Sequence, residues 1–166
     1  IESLRSTYTA DAFKVVSISS HSGWRESLWQ DSDYMPFDVA QTRYTRKMQQ
    51  WREELRIESA NEISPWHWRA GGFAGSKSLD TDQTTSFTSP FPADQGAVQK
   101  NDDRKYALFG EVTRELNDQF ELTGGVRFEH VSRDATGVQT LTSGGFPIQP
   151  PVFSDGSENF SSVQPR

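Results

Sequence analysis

The chain has 166 residues, with 17 basic and 23 acidic side chains, a net charge of −6 and no cysteine. Hydrophobic residues are 33% and mean hydropathy is −0.73, without any apolar run long enough for a spanning helix, which excludes a helical membrane protein. The acidic balance and the lack of a basic stripe exclude a nucleic-acid partner, and the missing thiols exclude a disulfide framework and thiolate chemistry.

In chain order, a strand is predicted over Glu2–Thr9, then a short turn at Ala10-Asp11-Ala12, then a second strand from Phe13 to about Trp29. A long loop, Gln30 to about Lys47, carries Asp31, Asp33, Pro36 and Asp38. Next comes Gln50–Ser59, where two periods compete. Tyr44, Met48, Trp51 and Leu55 fall at helical spacings of 4, 3 and 4. As a strand, Trp51, Glu53, Leu55 and Ile57 alternate with Arg52, Glu54, Arg56 and Glu58. Periodicity alone leaves both readings open there. Ala60–Pro65 reads as a short turn, Trp66 to about Lys77 as the fourth strand, and Ser78–Asp103 as a second long loop rich in Thr, Ser, Asp and Pro.

Two adjacent segments carry the clearest signal. Tyr106–Leu116 and Phe120–Glu129 are joined by Asn117-Asp118-Gln119. In the second, Phe120, Leu122, Gly124, Val126 and Phe128 alternate with Glu121, Thr123, Gly125, Arg127 and Glu129. Period-two alternation predicts a strand with one apolar face and one polar face. About ten residues at roughly 3.3 Å each, tilted near 45°, cover an apolar band about 25 Å tall. A third long loop, Thr136–Glu158, carries Gly144-Gly145, Pro147, Pro150 and Pro151, and a seventh strand starts near Asn159. Short turns and long loops alternate, so all short turns fall on one side of the sheet and all long loops on the other. Outer-membrane barrels sort their connections in this way. The first residue is Ile1, and Ser161-Ser162-Val163-Gln164-Pro165-Arg166 reads as the start of another strand, which predicts that this is part of a larger chain.

Tyr106-Ala107-Leu108-Phe109-Gly110-Glu111-Val112-Thr113, a short turn, and then Leu122-Thr123-Gly124-Gly125-Val126-Arg127-Phe128-Glu129 resemble the barrel of TonB-dependent outer-membrane receptors. That family has a "YALFGQ"-like strand before an "L-x-x-G-x-R-Y"-like strand. Here Glu111 stands where Gln is common, and Phe128 where Tyr is common. Glu54-Leu55-Arg56-Ile57-Glu58-Ser59 is similar to the family's "ELRL-x-S" strand, and Trp66-His67-Trp68-Arg69-Ala70-Gly71-Gly72-Phe73 to its "W-x-x-G-x-F" strand. The segments occur in the family's order, and they favour strand for Gln50–Ser59. The family's plug domain and its energy-coupling box have no match here. Its barrel has about 22 strands, of which this chain holds about a third.

The resemblance implies an all-β fold, an antiparallel up-and-down transmembrane β-barrel segment of about seven long strands with long outer loops, occupying residues 1–166 as a partial barrel domain. It implies a bacterial outer-membrane receptor for uptake of a scarce ligand: a ferric siderophore, a cobalamin or an oligosaccharide. The implied partners are outer-membrane lipid, the rest of the same barrel with its plug, and a TonB-type energy-coupling protein acting through that plug. No covalent chemistry and no cofactor are implied. Rival readings are a passive porin-like barrel and a soluble all-β binding module.

Arg52, Glu54, Arg56, Arg69, Glu111, Arg127 and Glu129, with Glu58 and Glu121, fall on polar faces and are the lumen-facing candidates. The bland reading is the solvated face of a soluble sheet. Trp66 and Trp68 share a face with Ala70 and Gly72 just after a short turn, which suits an aromatic girdle, with Phe120 placed similarly and Trp24 and Phe128 assigned to the opposite girdle. In the long segments Trp24, Tyr34, Tyr44, Phe87 and Phe91 are the candidates for stacking on a ligand, against the alternative that they only pin loops together. Asp31, Asp33, Asp38, Asp80 and Asp82 match no EF-hand pattern, and His21, His67 and His130 have no paired metal-ligand spacing, so no metal site is predicted. Gly71 to Ser78 departs from phosphate-loop spacing, no Gly-x-Ser-x-Gly appears, and the sequon Asn159-Phe160-Ser161 is of a kind common by chance.

Overall fold

The computed structural model describes residues 1–60, 63–88 and 91–165. Residues 61–62 of the turn Ala60–Pro65 and residues 89–90 of the segment Ser78–Asp103 lie outside the described residues. The strands are β1 (Glu2–Thr9), β2 (Phe13–Asp31), β3 (Ala40–Ser59), β4 (Trp66–Phe87), β5 (Ala93–Asn117), β6 (Phe120–Ser143), β7 (Phe146–Pro147) and β8 (Val152–Pro165). They form one sheet in which β1 to β6 lie in sequence order, and β7 and β8 both pair with β6. Every pairing is antiparallel. The fold is therefore all-β and up-and-down, a stretch of barrel wall. The sheet is not closed. Among the described residues, β1 pairs only with β2, and β8 only with β6.

The segment with two competing periods is strand throughout. β3 lies between β2 and β4, with Trp51 opposite His21 on one side and Ser76 on the other. Backbone pairing on both edges outweighs the helical spacing of Tyr44, Met48, Trp51 and Leu55, as tertiary context overrides local pattern.

The expected long loops are mostly strand. The β2–β3 connection is residues 32–39 rather than Gln30–Lys47, and the β4–β5 connection is residues 88–92 rather than Ser78–Asp103. Thr136–Glu158 is likewise strand at both ends, with β7 between. The β4–β5 ladder runs unbroken from Trp66↔Arg114 to Phe87↔Ala93. Its far half is mainly polar on both faces, with Ser78, Asp80, Asp82 and Thr84 on one and Lys77, Thr81, Gln83 and Thr85 on the other, Leu79 and Val98 being exceptions. Alternation fades when both faces are mainly polar, so a strand there has the composition of a loop. Branched Thr side chains still favour the extended backbone.

The connections do sort by end. The strand ends Thr9/Phe13, Ser59/Trp66 and Asn117/Phe120 lie at one end of the sheet, and Asp31/Ala40, Phe87/Ala93 and Ser143/Val152 at the other. At the first end Asn117 closes the β5–β6 hairpin: its Oδ1 accepts from the backbone N–H of Gln119 (3.0 Å) and Phe120 (3.1 Å). Local side-chain acceptors of this kind fix a tight turn.

At the other end the β2–β3 connection folds around Asp33. Its carboxylate accepts from the N–H groups of Met35 (2.9 Å), Val39 (2.9 Å) and Ala40. Tyr34 adopts a left-handed φ of 53° within this loop. Beneath lie buried Ala40 and the buried pair Thr42 and Thr85, whose hydroxyls meet at 2.9 Å. The Met35 amide above all, with those of Ala40 and Val39, holds the Asp33 carboxyl below its ordinary range. A folded-state pKa that is depressed contributes stability above the unfolded value and loses it as pH falls through the folded value. Amide protection factors at Met35 and Ala40 should therefore hold at neutral pH and collapse only under acid. Asp33→Ala should remove that protection at every pH, as hydrogen exchange followed by mass spectrometry would report. Protection that is equal in both proteins would contradict the role of Asp33.

Candidate functional site: the charged face of the sheet

Direct cross-strand partners share a face, so the register sorts every side chain. Glu54↔Phe73, Arg56↔Gly71 and Glu58↔Arg69 link β3 to β4. Arg69↔Glu111 links β4 to β5. Phe109↔Arg127 and Ala107↔Glu129 link β5 to β6. With Arg52, all seven lumen-facing candidates lie on this one face.

The charges pair across strands. Arg69 Nη2 meets Glu111 Oε1 at 2.8 Å, and Lys105 Nζ meets Glu129 Oε1 at 2.9 Å. Lys14 Nζ meets Glu58 Oε1 at 2.8 Å, and Arg56 lies between Glu54 (3.4 Å) and Glu58 (3.6 Å). Arg127 donates to Glu129 along its own strand at 3.2 Å and places its guanidinium 6.0 Å from the Phe109 ring. Phe109 in turn requires Gly71. A Cβ there would lie 2.7 Å from the Phe109 ring, 2.7 Å from the Leu55 carbonyl and 2.9 Å from Arg56 Cβ. The absent side chain lets the ring lie across the strand beside the Arg56 and Arg127 cations.

The opposite face is apolar near the short turns. Leu55, Leu108, Val112, Leu122, Val126, Phe128 and Val163 occupy it and are all exposed. Buried hydrophobics among the described residues are Val16, Ala40 and Ala107 alone. The usual order is inverted: large apolar side chains are exposed on one face, while charged side chains are half-covered on the other. A stretch of exposed apolar surface on this scale marks contact with something other than water.

Aromatic residues edge that apolar zone. Trp66 and Trp68 stand at the short-turn end, with Phe120 nearby and the Arg114 guanidinium 5.0 Å from the Trp66 ring centroid. Trp51 and Tyr106 stand at the far edge with Phe128. Trp24 does not belong with Phe128. Its partner is Met48, which puts it on the charged face. Trp51 was hidden by its place in the ambiguous segment, although its alternation with Arg52 carried the signal. One carboxylate breaks the apolar face. Glu53, between Trp51 and Leu55, accepts from Ser17 Oγ at 2.9 Å and from Ser19 Oγ. Two hydroxyl donors offset the cost of a polar group in an apolar setting.

The five stacking candidates do not converge. Trp24 lies within β2 and Tyr44 within β3, both on the charged face beyond its ion pairs. Tyr44 stacks under the Arg46 guanidinium at 5.3 Å. Phe87 ends β4, while Tyr34 and Phe91 lie in the connections, Tyr34 accepting from Gln30 Nε2 at 3.1 Å.

With this geometry in hand, the comparisons are specific. The family model described as "TonB dependent receptor-like, beta-barrel" matches residues 2–166. Among solved structures, the ferric yersiniabactin uptake receptor FyuA from Yersinia pestis aligns over 98% of this chain with a TM-score of 0.80 and 18% identity. This chain spans 24% of that one, and at such identity the likeness shows the fold alone. A membrane pore complex of pneumolysin aligns with a TM-score of only 0.19 at 7% identity, over 99% of this chain and 31% of that one, and carries no argument. No curated protein matches. The inverted faces, the up-and-down sheet and a family match across nearly the whole chain agree: this chain belongs to the TonB-dependent receptor-like β-barrel family.

Proposed function

We propose that the sheet is a section of the wall of a bacterial outer-membrane receptor, with its apolar face against lipid and its charged face lining the lumen. The observation that carries this reading is the inversion of faces between the two aromatic edges. Between Trp68 and Ser76 on β4 lie eight steps, or about 26 Å of strand at roughly 3.3 Å per residue, the scale of a tilted membrane crossing. Beyond Trp51 and Tyr106 both faces of β4 and β5 become mainly polar, which fits strands that leave the bilayer and stand in water. A soluble module gives no reason for exposed Leu108, Val112, Leu122 and Val126 in register.

The activity is uptake of a scarce ligand, driven through a plug by a TonB-type energy-coupling partner, with no covalent chemistry. A ferric siderophore is the favoured ligand class, since the structural neighbour FyuA takes up ferric yersiniabactin. Cobalamin and oligosaccharide are the other ligands that this barrel class suits. The far halves of β2 to β6, with Trp24 and Tyr44 inward, form the outer rim through which ligand would enter.

Two experiments test the reading. An Arg on the lipid face costs about 2–4 kcal/mol at the midplane, whereas the lumen face tolerates charge. Val126→Arg in the native full-length protein should block barrel assembly, while Thr123→Arg should assemble, as heat-modifiable gel mobility reports. Equal behaviour of the two would remove the lipid-face assignment. For uptake, deleting the gene should abolish growth on a limiting ferric siderophore, and deleting the energy-coupling partner should do the same. Undiminished growth on every ferric siderophore tested would remove the favoured ligand class.

A further inference from the structure

Two of the hollows on the charged face differ in electrostatic character. The one nearer the short turns sets Glu54 and Glu111 against Arg56, Arg69 and Arg127 and is close to balanced. The second lies level with Trp51 and has a volume of about 500 Å³. Five cations line it, Arg52, Lys77, Lys105, Arg127 and Arg133, against two carboxylates, Asp103 and Glu129. Those carboxylates are already engaged. Glu129 takes both Lys105 (2.9 Å) and Arg127 (3.2 Å), and Asp103 takes Arg133 (3.5 Å). Among the described residues Arg52 and Lys77 have no ion-pair partner. On β4 Gly75 lies directly opposite Arg52, while Lys77 lies between Gln50 of β3 and Asp103 of β5, and that carboxylate is the one that takes Arg133. The surplus of three positive charges sits in a chain whose net charge is −6.

We infer that this hollow is a binding site for a multivalent anionic solute, a compound carrying several carboxylate or phosphate groups. The inference rests on the reading that the charged face lines the lumen. Arg52 offers a planar fork that suits two oxygens of one carboxylate, and Lys77 offers a point charge on the neighbouring strand. Lys105 and Arg127 are half-used by a single shared carboxylate and have donors left over. A concave wall of one sign concentrates counter-ions of the other, so an anion moving through the barrel would dwell here. The Phe73 and Val131 side chains supply apolar walls beside the cations, a usual composition for a solute site.

Citrate is the probe, titrated calorimetrically into the native full-length protein in detergent at low ionic strength. It should bind, and the double variant Arg52→Gln/Lys77→Gln should bind about tenfold more weakly, a loss of about 1.4 kcal/mol. The matched control is Lys47→Gln/Lys100→Gln, which removes the same charge from the opposite face and should leave citrate affinity unchanged. Heat-modifiable mobility confirms that each variant has folded. No citrate binding by the folded protein would overturn the site, since the hollow would then be filled by the protein itself. Equal loss in the control would overturn it too, by showing an effect of net charge only. Citrate binding without any uptake phenotype would leave the site standing and count against the uptake reading instead.

Discussion

The antiparallel ladder fixes where every side chain points, because the pleat has a period of two and a slip of one residue exchanges the faces. In hydrocarbon there is no water to satisfy a free N–H or C=O, so backbone pairing must be continuous across the membrane. The β4–β5 ladder meets that demand through its whole length, and the β5–β6 ladder does so up to the irregularity between Glu115 and Asn117 at its turn. Once pairing is continuous, the sequence decides only which face meets which medium. Leu108 and Phe109, adjacent in the chain, show the choice: Leu108 is exposed on the apolar face, and Phe109 is half-covered on the other, between Gly71 and Arg127.

Ion pairs on the charged face are a consequence of the same ladder. Arg69 and Glu111 are direct cross-strand partners, as are Lys14 and Glu58, so opposite charges come within 2.8 Å without any special backbone geometry. Exposed pairs of this kind add little stability singly. Their effect is on register, since a one-residue slip would carry Arg69 and Glu111 onto the apolar face. The Glu53 carboxylate, set between Trp51 and Leu55 on that face, is held by two serine hydroxyls that donate to it.

Much of this was legible in the sequence, and the limits have physical causes. Phe120 to Glu129 announces its two faces because apolar and polar or small side chains alternate there without a break, and the charged candidates from Arg52 to Glu129 follow from the same alternation. The far halves of β4 and β5 read as loop because polar side chains on both faces remove the alternation, leaving Thr81, Asp82 and Thr84 to look like a linker. Trp24 lies on the charged face, against the sequence reading, because Val15, Val16 and Ile18 put apolar side chains on both faces of β2 and leave that strand without a legible parity. The pairing of Trp24 with Met48 supplies that parity. The cation surplus around Arg52 and Lys77 was beyond sequence reasoning for a related reason. It is assembled from four strands, and only the register shows that Lys77, Asp103 and Arg133 meet.

The central claim is that the two faces of β5 meet different media, and spin labels placed one at a time along Tyr106 to Thr113 of the native full-length protein in bilayers test it most directly. Relaxation by dissolved oxygen, which partitions into lipid, and by a water-soluble nickel complex would be read at each position. Labels at Leu108, Gly110 and Val112 should favour oxygen, and those at Ala107, Phe109, Glu111 and Thr113 should favour nickel or neither, with a period of two. Accessibility to nickel that is uniform along the strand, or an alternation of the opposite phase, would contradict the account.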